Sequence, residues 1–225
     1  MCIKYISVFV CCQMTGVFKY PFKNSFTSIF WKMYICIFYF ENSLSYTFVF
    51  RYFSGSSSAR RNTKILDLGS GRGSHLWFLA REGFDAHGID ASESAVCAAR
   101  NLLRSEHLTA DILCGDFSEL PFDSEYFDGI IDAASIQHNS IDAAKRILDE
   151  AYRVTKPGGF VFSMFLQSDR CLSASEFFTT RLEEEKLRLL FEKFKIRDID
   201  VHHYTENSQD SAITFSLVTA QKGEK

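Results

Sequence analysis

Residues 65–73 constrain the fold more than any other part of this chain. They read Ile-Leu-Asp-Leu-Gly-Ser-Gly-Arg-Gly, an apolar run typical of a buried strand that passes directly into a glycine-rich turn. Glycine adopts positive φ at little cost and, having no Cβ, lets a ligand come close to the main chain. The helix predicted after the turn begins with unpaired N–H groups, which attract polar and anionic groups. The stretch therefore predicts a βα unit that binds a nucleotide-like ligand.

Strand-like and helix-like segments alternate along the chain after residue 62. Alternation of this kind predicts an α/β fold, a doubly wound and mainly parallel sheet with helices on both faces. The last two predicted strands have no helix between them and are joined through residues 204–210, which favours a final antiparallel hairpin. The predicted strands are 64–68, 86–90, 110–114, 127–133, 160–165, 196–203 and 212–220, and the predicted helices are 74–82, 92–103, 141–154 and 181–191.

The spacing of acids and glycines distinguishes between nucleotide cofactors. Asp90 ends the second predicted strand about 20 residues beyond the turn, where the second strand of a βαβ unit presents a carboxylate to ribose hydroxyls. A nicotinamide-binding turn usually reads G-x-G-x-x-G or G-x-G-x-x-A. Here the turn reads D-x-G-x-G-x-G, with Asp67 two residues before the first glycine. The pattern disfavours a nicotinamide cofactor.

The D-x-G-x-G-x-G pattern resembles the first motif of the class I S-adenosylmethionine-dependent methyltransferases. Later stretches are similar to the same family in the same order: Gly115-Asp116-Phe117, the strand-like residues 127–132, and the turn Lys156-Pro157-Gly158-Gly159. The resemblance covers residues 62–220. It implies a Rossmann-like sheet of seven strands with an antiparallel last strand, and S-adenosylmethionine as the cofactor.

The resemblance also implies roles for individual residues. Asp67 would orient the methionine ammonium directly or through water, Asp90 would bind the ribose, and Asp116 would accept a hydrogen bond from the adenine amine. Each assignment has a simpler alternative, because glycines occur in many turns and an aspartate such as Asp116 often caps a loop. The implied cofactor-binding residues are Asp67, Gly69, Ser70, Gly71, Gly73, Asp90, Ala91, Asp116, Phe117 and Asp132.

The loop after the fourth predicted strand contains the candidate for acid–base chemistry. It crosses the carboxyl edge of the sheet, where doubly wound folds bind ligands, and it contains His138. An imidazole there could act as a general base or orient a polar acceptor, although loop histidines also serve as capping or packing residues. His202 and His203 are adjacent on a strand and point to opposite faces, so no metal site is expected.

The sequence therefore favours a methyltransferase that acts on an oxygen or nitrogen atom of a small molecule. The segment after the fourth strand lacks an N-P-P-Y-like or D-P-P-Y-like run, which disfavours the family branches that methylate adenine N6 and glutamine, and it lacks a Pro-Cys pair, which disfavours cytosine C5 methylation. No motif specifies the acceptor, although residues 173–194 would help to select it. The alternative is a catalytically silent module that binds S-adenosylmethionine or a protein partner. A nicotinamide-dependent oxidoreductase is a third hypothesis.

The composition argues against nucleic-acid binding and against a disulfide framework or cysteine metal site. A formal net charge of −3 gives no broad basic field, so nucleic acid is not expected as the main partner. The seven cysteines are irregularly spaced and show no disulfide framework or C-x-x-C metal site. The expected state is reduced, buried thiols in a cytoplasmic protein.

Residues 1–53 differ from the rest of the chain because they are rich in phenylalanine and poor in charge. Lysines interrupt their apolar runs, and none reaches the roughly 20 residues of a bilayer-spanning helix, so no membrane span is expected. The composition is β-rich and a poor match to an amphipathic helix. Three interpretations stay open: a cap over the active site, a membrane-surface or partner-binding element, and sequence outside the mature domain. Residues 54–62 are interpreted as a flexible Ser/Gly linker, which divides the chain into residues 1–61 and a domain of residues 62–225.

Overall fold

The computed structural model describes residues 44–167, 183–205 and 212–224. The helices are α1 (44–53), α2 (Ser57–Arg61), α3 (Ser74–Arg81), α4 (Glu93–Ser105), α5 (Ile141–Val154) and α6 (Glu184–Leu190), with a 3₁₀ turn at Ile136–His138. The strands are β1 (Lys64–Leu68), β2 (Asp85–Asp90), β3 (Asp111–Cys114), β4 (Phe127–Ala133), β5 (Thr155–Gln167), β6 (Lys195–Thr205) and β7 (Ala212–Gln221).

The strands form one seven-stranded sheet in the order β3-β2-β1-β4-β5-β7-β6. All neighbouring pairs from β3 to β5 are parallel, whereas β7 runs antiparallel to both β5 and β6. The predicted α/β class, the seven-stranded sheet and the reversed last strand are therefore confirmed. Predicted and observed bounds agree for β1, β4 and α5, whose apolar patterns are strongest.

Parallel pairing places the carboxyl ends of the central strands at one edge of the sheet. Leu66 and Leu68 of β1 and Ile130 of β4 have no exposed surface, because the helices cover both faces. Polar residues stand near the ends of these apolar strands, and Asp67 is in register with Ile131, the neighbour of Asp132. The fold thus brings acids from separate parts of the sequence to one place.

The start of β5 differs from the prediction. The strand was expected to begin at residue 160 after a turn, yet it begins at Thr155, which pairs with Phe127. The register then shifts, so that Gly129 pairs with Phe160, and the intervening residues bulge out. Pro157 lies in the bulge, where its missing N–H breaks no ladder hydrogen bond. The Lys-Pro-Gly-Gly segment is therefore a bulge within the strand.

Helix α1 corrects the interpretation of residues 44–53 as a poor helix. Phe48 stacks on Phe162 with ring centroids 5.2 Å apart, and Tyr52 lies 4.3 Å from Phe160. Positions 48, 49, 52 and 53 recur at helical spacing, so one face of the helix carries the apolar side chains that the sheet buries. Tertiary packing here outweighs the β-rich local composition.

The proposed linker is also partly helical. Residues Ser57–Arg61 form α2, and the Ser56 hydroxyl accepts the Ala59 N–H at 3.3 Å as an N-cap. Ser45–Lys225 constitute one compact unit. The division at residue 62 stays a prediction for the segment as a whole, since most of residues 1–61 lie outside the described residues.

Two further observations concern the described residues alone. None of their helices is both long enough and apolar enough to cross a bilayer. Cys97 and Cys114 are free and exposed, which corrects the expectation of buried thiols, since both lie on outward-facing positions. The other cysteines, at positions 2, 11, 12, 36 and 171, fall outside the described residues.

Candidate functional site

The glycine turn connects β1 to α3 and is fixed to the neighbouring strand. The N–H groups of Gly69 and Ser70 both donate to the Ile89 carbonyl, at 2.9 and 3.0 Å. The Ser70 side chain is buried, and its hydroxyl has no hydrogen-bond partner among the described residues. Backbone bonds to β2 therefore hold the turn open at the edge of the sheet.

Gly69 and Gly71 are needed for different reasons. A Cβ added to Gly69 would lie only 1.9 Å from the Ser135 hydroxyl oxygen, so the following loop occupies that space. Gly71 has φ of +51°, and a Cβ there would meet no atom of the described residues within 4 Å. The bare backbone of Gly71 thus faces open space, as a turn that admits a ligand requires. Gly73 instead packs against α4, where a Cβ would lie 2.8 Å from that of Ala99.

Asp90 links the turn to the start of α4. Its Oδ2 accepts the Gly71 N–H and its Oδ1 accepts the Ser92 N–H, both at 2.8 Å. A carboxylate has about four lone-pair sites, so each oxygen can still accept a hydroxyl. The carboxylate is therefore oriented beside the glycine turn in a way that suits the predicted contact with two ribose hydroxyls. Ala91, the next residue, is exposed.

Asp67 is buried next to the turn without the donors that such a carboxylate normally has. It is 1% exposed, and neither oxygen has a hydrogen-bond partner within the part of the chain that the structure describes. The nearest ion-pair contact among the described residues is His75 Nδ1, 3.5 Å from Oδ1. Leaving a buried carboxylate without donors is costly, so the site suits a ligand that brings a positively charged donor. The ammonium of S-adenosylmethionine is such a group.

Asp132 is a second buried carboxylate at the same edge. Its Oδ1 accepts the N–H groups of Ser135 at 2.8 Å and Ile136 at 3.1 Å, whereas Oδ2 has no partner of good hydrogen-bond geometry among the described residues. Complete burial and, to a smaller extent, the nearby Asp67 charge raise the pKa of Asp132 to about 7, although the two N–H groups and the Ser163 hydroxyl act to lower it. Asp132 therefore keeps its proton to a higher pH than an ordinary carboxyl group.

The raised pKa predicts how stability depends on pH. Between pH 4 and 7 the unfolded chain releases a proton that folded Asp132 retains, so ionisation destabilises the fold as the pH rises through this window. For the ligand-free protein, we expect the difference in unfolding free energy between Asp132→Asn and wild type to shift in favour of the variant from pH 5 to pH 8. Denaturant titrations at both pH values measure it. Asp200→Asn, on an exposed position of β6, should show no such shift.

The predicted adenine-binding residues follow β3. Asp116 is exposed, and its Oδ1 accepts both the N–H and the hydroxyl of Ser118 at 2.8 Å, which lowers the pKa of the carboxyl. The capping role weighed in the sequence analysis is thus present, and Oδ2 is left for an adenine amine. Phe117 is half-buried close to Gly69. The contact of Phe117 with the cofactor stays a prediction.

The loop after β4 carries backbone strain. Ala134 has φ of +67°, which is uncommon for a residue with a Cβ, and such strain occurs often at functional sites. His138 ends the 3₁₀ turn that follows and is exposed as a residue. Partial desolvation of its imidazole lowers the pKa of His138, which favours the neutral form that can accept a proton. His138 lies in the loop after β4, as the sequence predicts, and its role in acid–base chemistry stays a hypothesis.

Three residues near the site were not singled out from the sequence. Tyr46 of α1 lies edge-on to His75 with ring centroids 5.8 Å apart. Ser135 meets the glycine turn, with its hydroxyl 3.5 Å from the Gly69 carbonyl. For His75 a signal existed, because it shares the inward face of α3 with Phe78 and Leu79 at helical spacing. The acceptor-selecting segment expected at residues 173–194 lies outside the described residues up to residue 182.

Residues 65–159 match the family model described as "Methyltransferase domain". The chain is similar to sarcosine/dimethylglycine N-methyltransferase from Aphanothece halophytica, at 36% identity over 48% of this chain and 40% of that protein. It is also similar to ubiquinone biosynthesis O-methyltransferase from Coxiella burnetii, at 31% identity over 44% of this chain and 41% of that protein. The matched part thus spans about two fifths of these curated relatives.

The fold has solved counterparts. A crystal structure of an S-adenosylmethionine-dependent methyltransferase from Methanosarcina mazei superimposes with a TM-score of 0.64, covering 72% of this chain and 93% of that one. The two sequences are 23% identical, so this likeness concerns the fold alone. The family match covers the glycine turn, Asp90, Asp116 and Asp132, that is, the greater part of the candidate site.

Proposed function

Because the chain belongs to the class I S-adenosylmethionine-dependent methyltransferases and uses S-adenosylmethionine as its cofactor, we propose that it transfers a methyl group to an oxygen or nitrogen atom of a small molecule. The observation that carries the proposal is the set of three carboxylates, Asp67, Asp90 and Asp132, around a glycine turn with open backbone. We place the activity in the cytoplasm, where the cofactor is made.

Different residues of the chain would bind different parts of the cofactor. Asp67 would hold the ammonium, Asp90 the ribose hydroxyls and Asp116 the adenine amine, with Gly71 giving the backbone room. When bound, S-adenosylmethionine supplies an electrophilic methyl group on a sulfonium, and in-line transfer depends chiefly on positioning. The buried Asp67 carboxylate, which has no hydrogen-bond donor among the described residues, also favours a cationic ligand.

The proposed methyl acceptor is a small molecule with an oxygen or nitrogen nucleophile. The two curated relatives are named for an amine substrate and for ubiquinone biosynthesis, so similar cofactor halves occur with different acceptor atoms. A small molecule is favoured over nucleic acid because the net charge of the chain is −3. The strained loop of Ala134 and His138, at the carboxyl edge of β4, is the described segment that we expect to face the acceptor.

Binding calorimetry with the full chain tests the cofactor assignment. S-adenosylmethionine and S-adenosylhomocysteine should bind and NAD should not. If only the acceptor assignment is wrong, the pair will bind but no amine or phenol from a small-molecule panel will be methylated. Binding of neither compound would contradict the function and favour the partner-binding module considered above.

His138 is expected to affect turnover and leave cofactor affinity unchanged. Its neutral imidazole would take the proton that an acceptor hydroxyl or ammonium loses as the new bond to carbon forms. General-base catalysis typically contributes 10²–10⁴-fold, so we expect His138→Ala to lower kcat by about a hundredfold. The pH–rate profile should also lose its acidic limb in the variant.

The neighbouring Asn139 offers a matched control. Its side-chain amide donates to the carbonyls of Ser135 and Ile136, both at 3.2 Å, and so supports the same loop. Asn139→Ala should lower kcat through loop geometry without changing the shape of the pH–rate profile. A His138→Ala enzyme with unchanged kcat and an intact acidic limb would show that the imidazole takes no proton.

A further inference from the structure

His75 is a buried titratable group that the proposed reaction does not use. It lies in the first turn of α3, two residues after Gly73, and is 7% exposed. Its Nδ1 is 3.5 Å from Asp67 Oδ1, and its Nε2 is buried with no hydrogen-bond partner in residues 44–167, 183–205 and 212–224. A buried imidazole with an unpaired nitrogen needs an explanation, because such groups are normally satisfied in native proteins.

The surroundings of His75 contain the Asp67 carboxylate on one side and aromatic rings on another. The Asp67 carboxylate contributes to raising the pKa of the Tyr46 hydroxyl and of Asp132, although burial is the larger cause for both. Tyr46 stacks on Phe78 at 3.8 Å and places its ring edge against the imidazole, so one wall of the cluster is aromatic and apolar. Water screening is weak in such a place, and charge interactions are correspondingly strong.

The 3.5 Å contact between His75 and Asp67 fits a positioning role. A proton on Nδ1 points the imidazole at Oδ1 and leaves Oδ2 for a ligand donor. Contacts of this kind are often long in ligand-free enzymes and shorten in the complex. Carboxylate–histidine pairs fix ring orientation in the same way elsewhere in proteins.

We propose that His75 is a positioning residue for the amino-acid end of the cofactor, orienting the Asp67 carboxylate toward the ammonium and offering Nε2 to the same polar end. This inference rests on the proposed function, since it assigns a part of that cofactor site. It makes His75 and Asp67 a unit that recognises the amino acid and takes no part in recognising the adenosine.

Two ligands separate these parts of the cofactor. S-adenosylhomocysteine carries the amino-acid end, whereas 5′-methylthioadenosine keeps the adenosine and the thioether and lacks the amino acid. Calorimetry with the full chain would compare both ligands for wild type, His75→Leu and His75→Asn. The asparagine amide can replace Nδ1 as a donor to Asp67, and leucine preserves only the buried volume. Thermal unfolding of each variant confirms that it is folded.

We expect His75→Leu to bind S-adenosylhomocysteine at least about tenfold more weakly, the usual size of a lost hydrogen bond to a charged group. Its affinity for 5′-methylthioadenosine should change less than about threefold, within the effect of a distant repacking. His75→Asn should recover most of the loss. These three results together distinguish a positioning role from a packing role, because a packing defect would weaken the binding of both ligands to a similar extent.

Other outcomes overturn the inference in distinguishable ways. Equal weakening of both ligands by His75→Leu would make His75 a packing residue. Unchanged binding of both ligands would mean that Nε2 does not contact the cofactor, and an internal water would then be its partner. If wild type binds 5′-methylthioadenosine and S-adenosylhomocysteine, the cofactor assignment on which the proposed function depends stands whatever the variants do. If wild type binds neither, both the function and the inference fail.

Discussion

Asp90→Ala is expected to abolish measurable binding of S-adenosylhomocysteine. The substitution removes the predicted ribose acceptor and also releases the N–H groups of Gly71 and Ser92, which the carboxylate now holds at 2.8 Å. Hydrogen bonds to charged groups contribute about 1.5–3 kcal/mol each, so losing two ligand contacts weakens binding by roughly 10²–10⁴-fold. Calorimetry of the full chain measures the loss directly.

Asp85→Ala is the matched control, because Asp85 lies at the opposite end of the same strand. Its carboxylate pairs with Lys64 at 2.5 Å on a partly exposed surface and also lies 3.1 Å from the Nε2 of the buried His87. The pair with Lys64 contributes about 0–1 kcal/mol and the contact with His87 adds to it, so this variant should lose some stability but no cofactor affinity. Unchanged binding in Asp90→Ala would mean that the carboxylate only supports the turn. Weakened binding in both variants would point to a general defect of β2.

The parts of the fold that could be predicted depend on residues that are close together in the sequence. The first strand, the glycine turn and Asp90 are encoded by neighbouring residues whose types allow few alternatives, since positive φ favours glycine and a buried strand needs an apolar run. Parallel pairing then follows from the alternation of elements and brings Asp67 and Asp132 to one edge. Such features could be predicted without knowing any distant contact.

What could not be predicted depends on contacts between distant residues. Helix α1 is stable because Phe48 and Tyr52 pack on β5, which lies more than a hundred positions later in the chain. The local composition of residues 44–53 does not indicate that packing partner. The approach of His75 to Asp67 and the raised pKa of Asp132 arise only when the sheet and helices exclude water. The shared cause is burial, which a single sequence indicates weakly.

The glycine turn allows a test in which strain and ligand contact are separated. Gly71 and Gly83 both have positive φ, +51° and +84°, and within the described part of the chain a Cβ added to either would meet no atom within 4 Å. Alanine should therefore cost each site a similar amount, about 1–2 kcal/mol of backbone strain, without a steric clash. Gly83 lies in the turn between α3 and β2, away from the acids of the site.

Gly71→Ala should consequently lose detectable binding of S-adenosylhomocysteine, while Gly83→Ala keeps wild-type affinity at a matching loss of thermal stability. The difference arises because the open space at Gly71 is where the proposed cofactor approaches the backbone, and a methyl group there would occupy it. Denaturant unfolding establishes that the two penalties match, and calorimetry then reports the ligand effect alone. If Gly71→Ala binds as tightly as Gly83→Ala, the three glycines serve only to form the turn, and the cofactor must lie against other atoms of this edge.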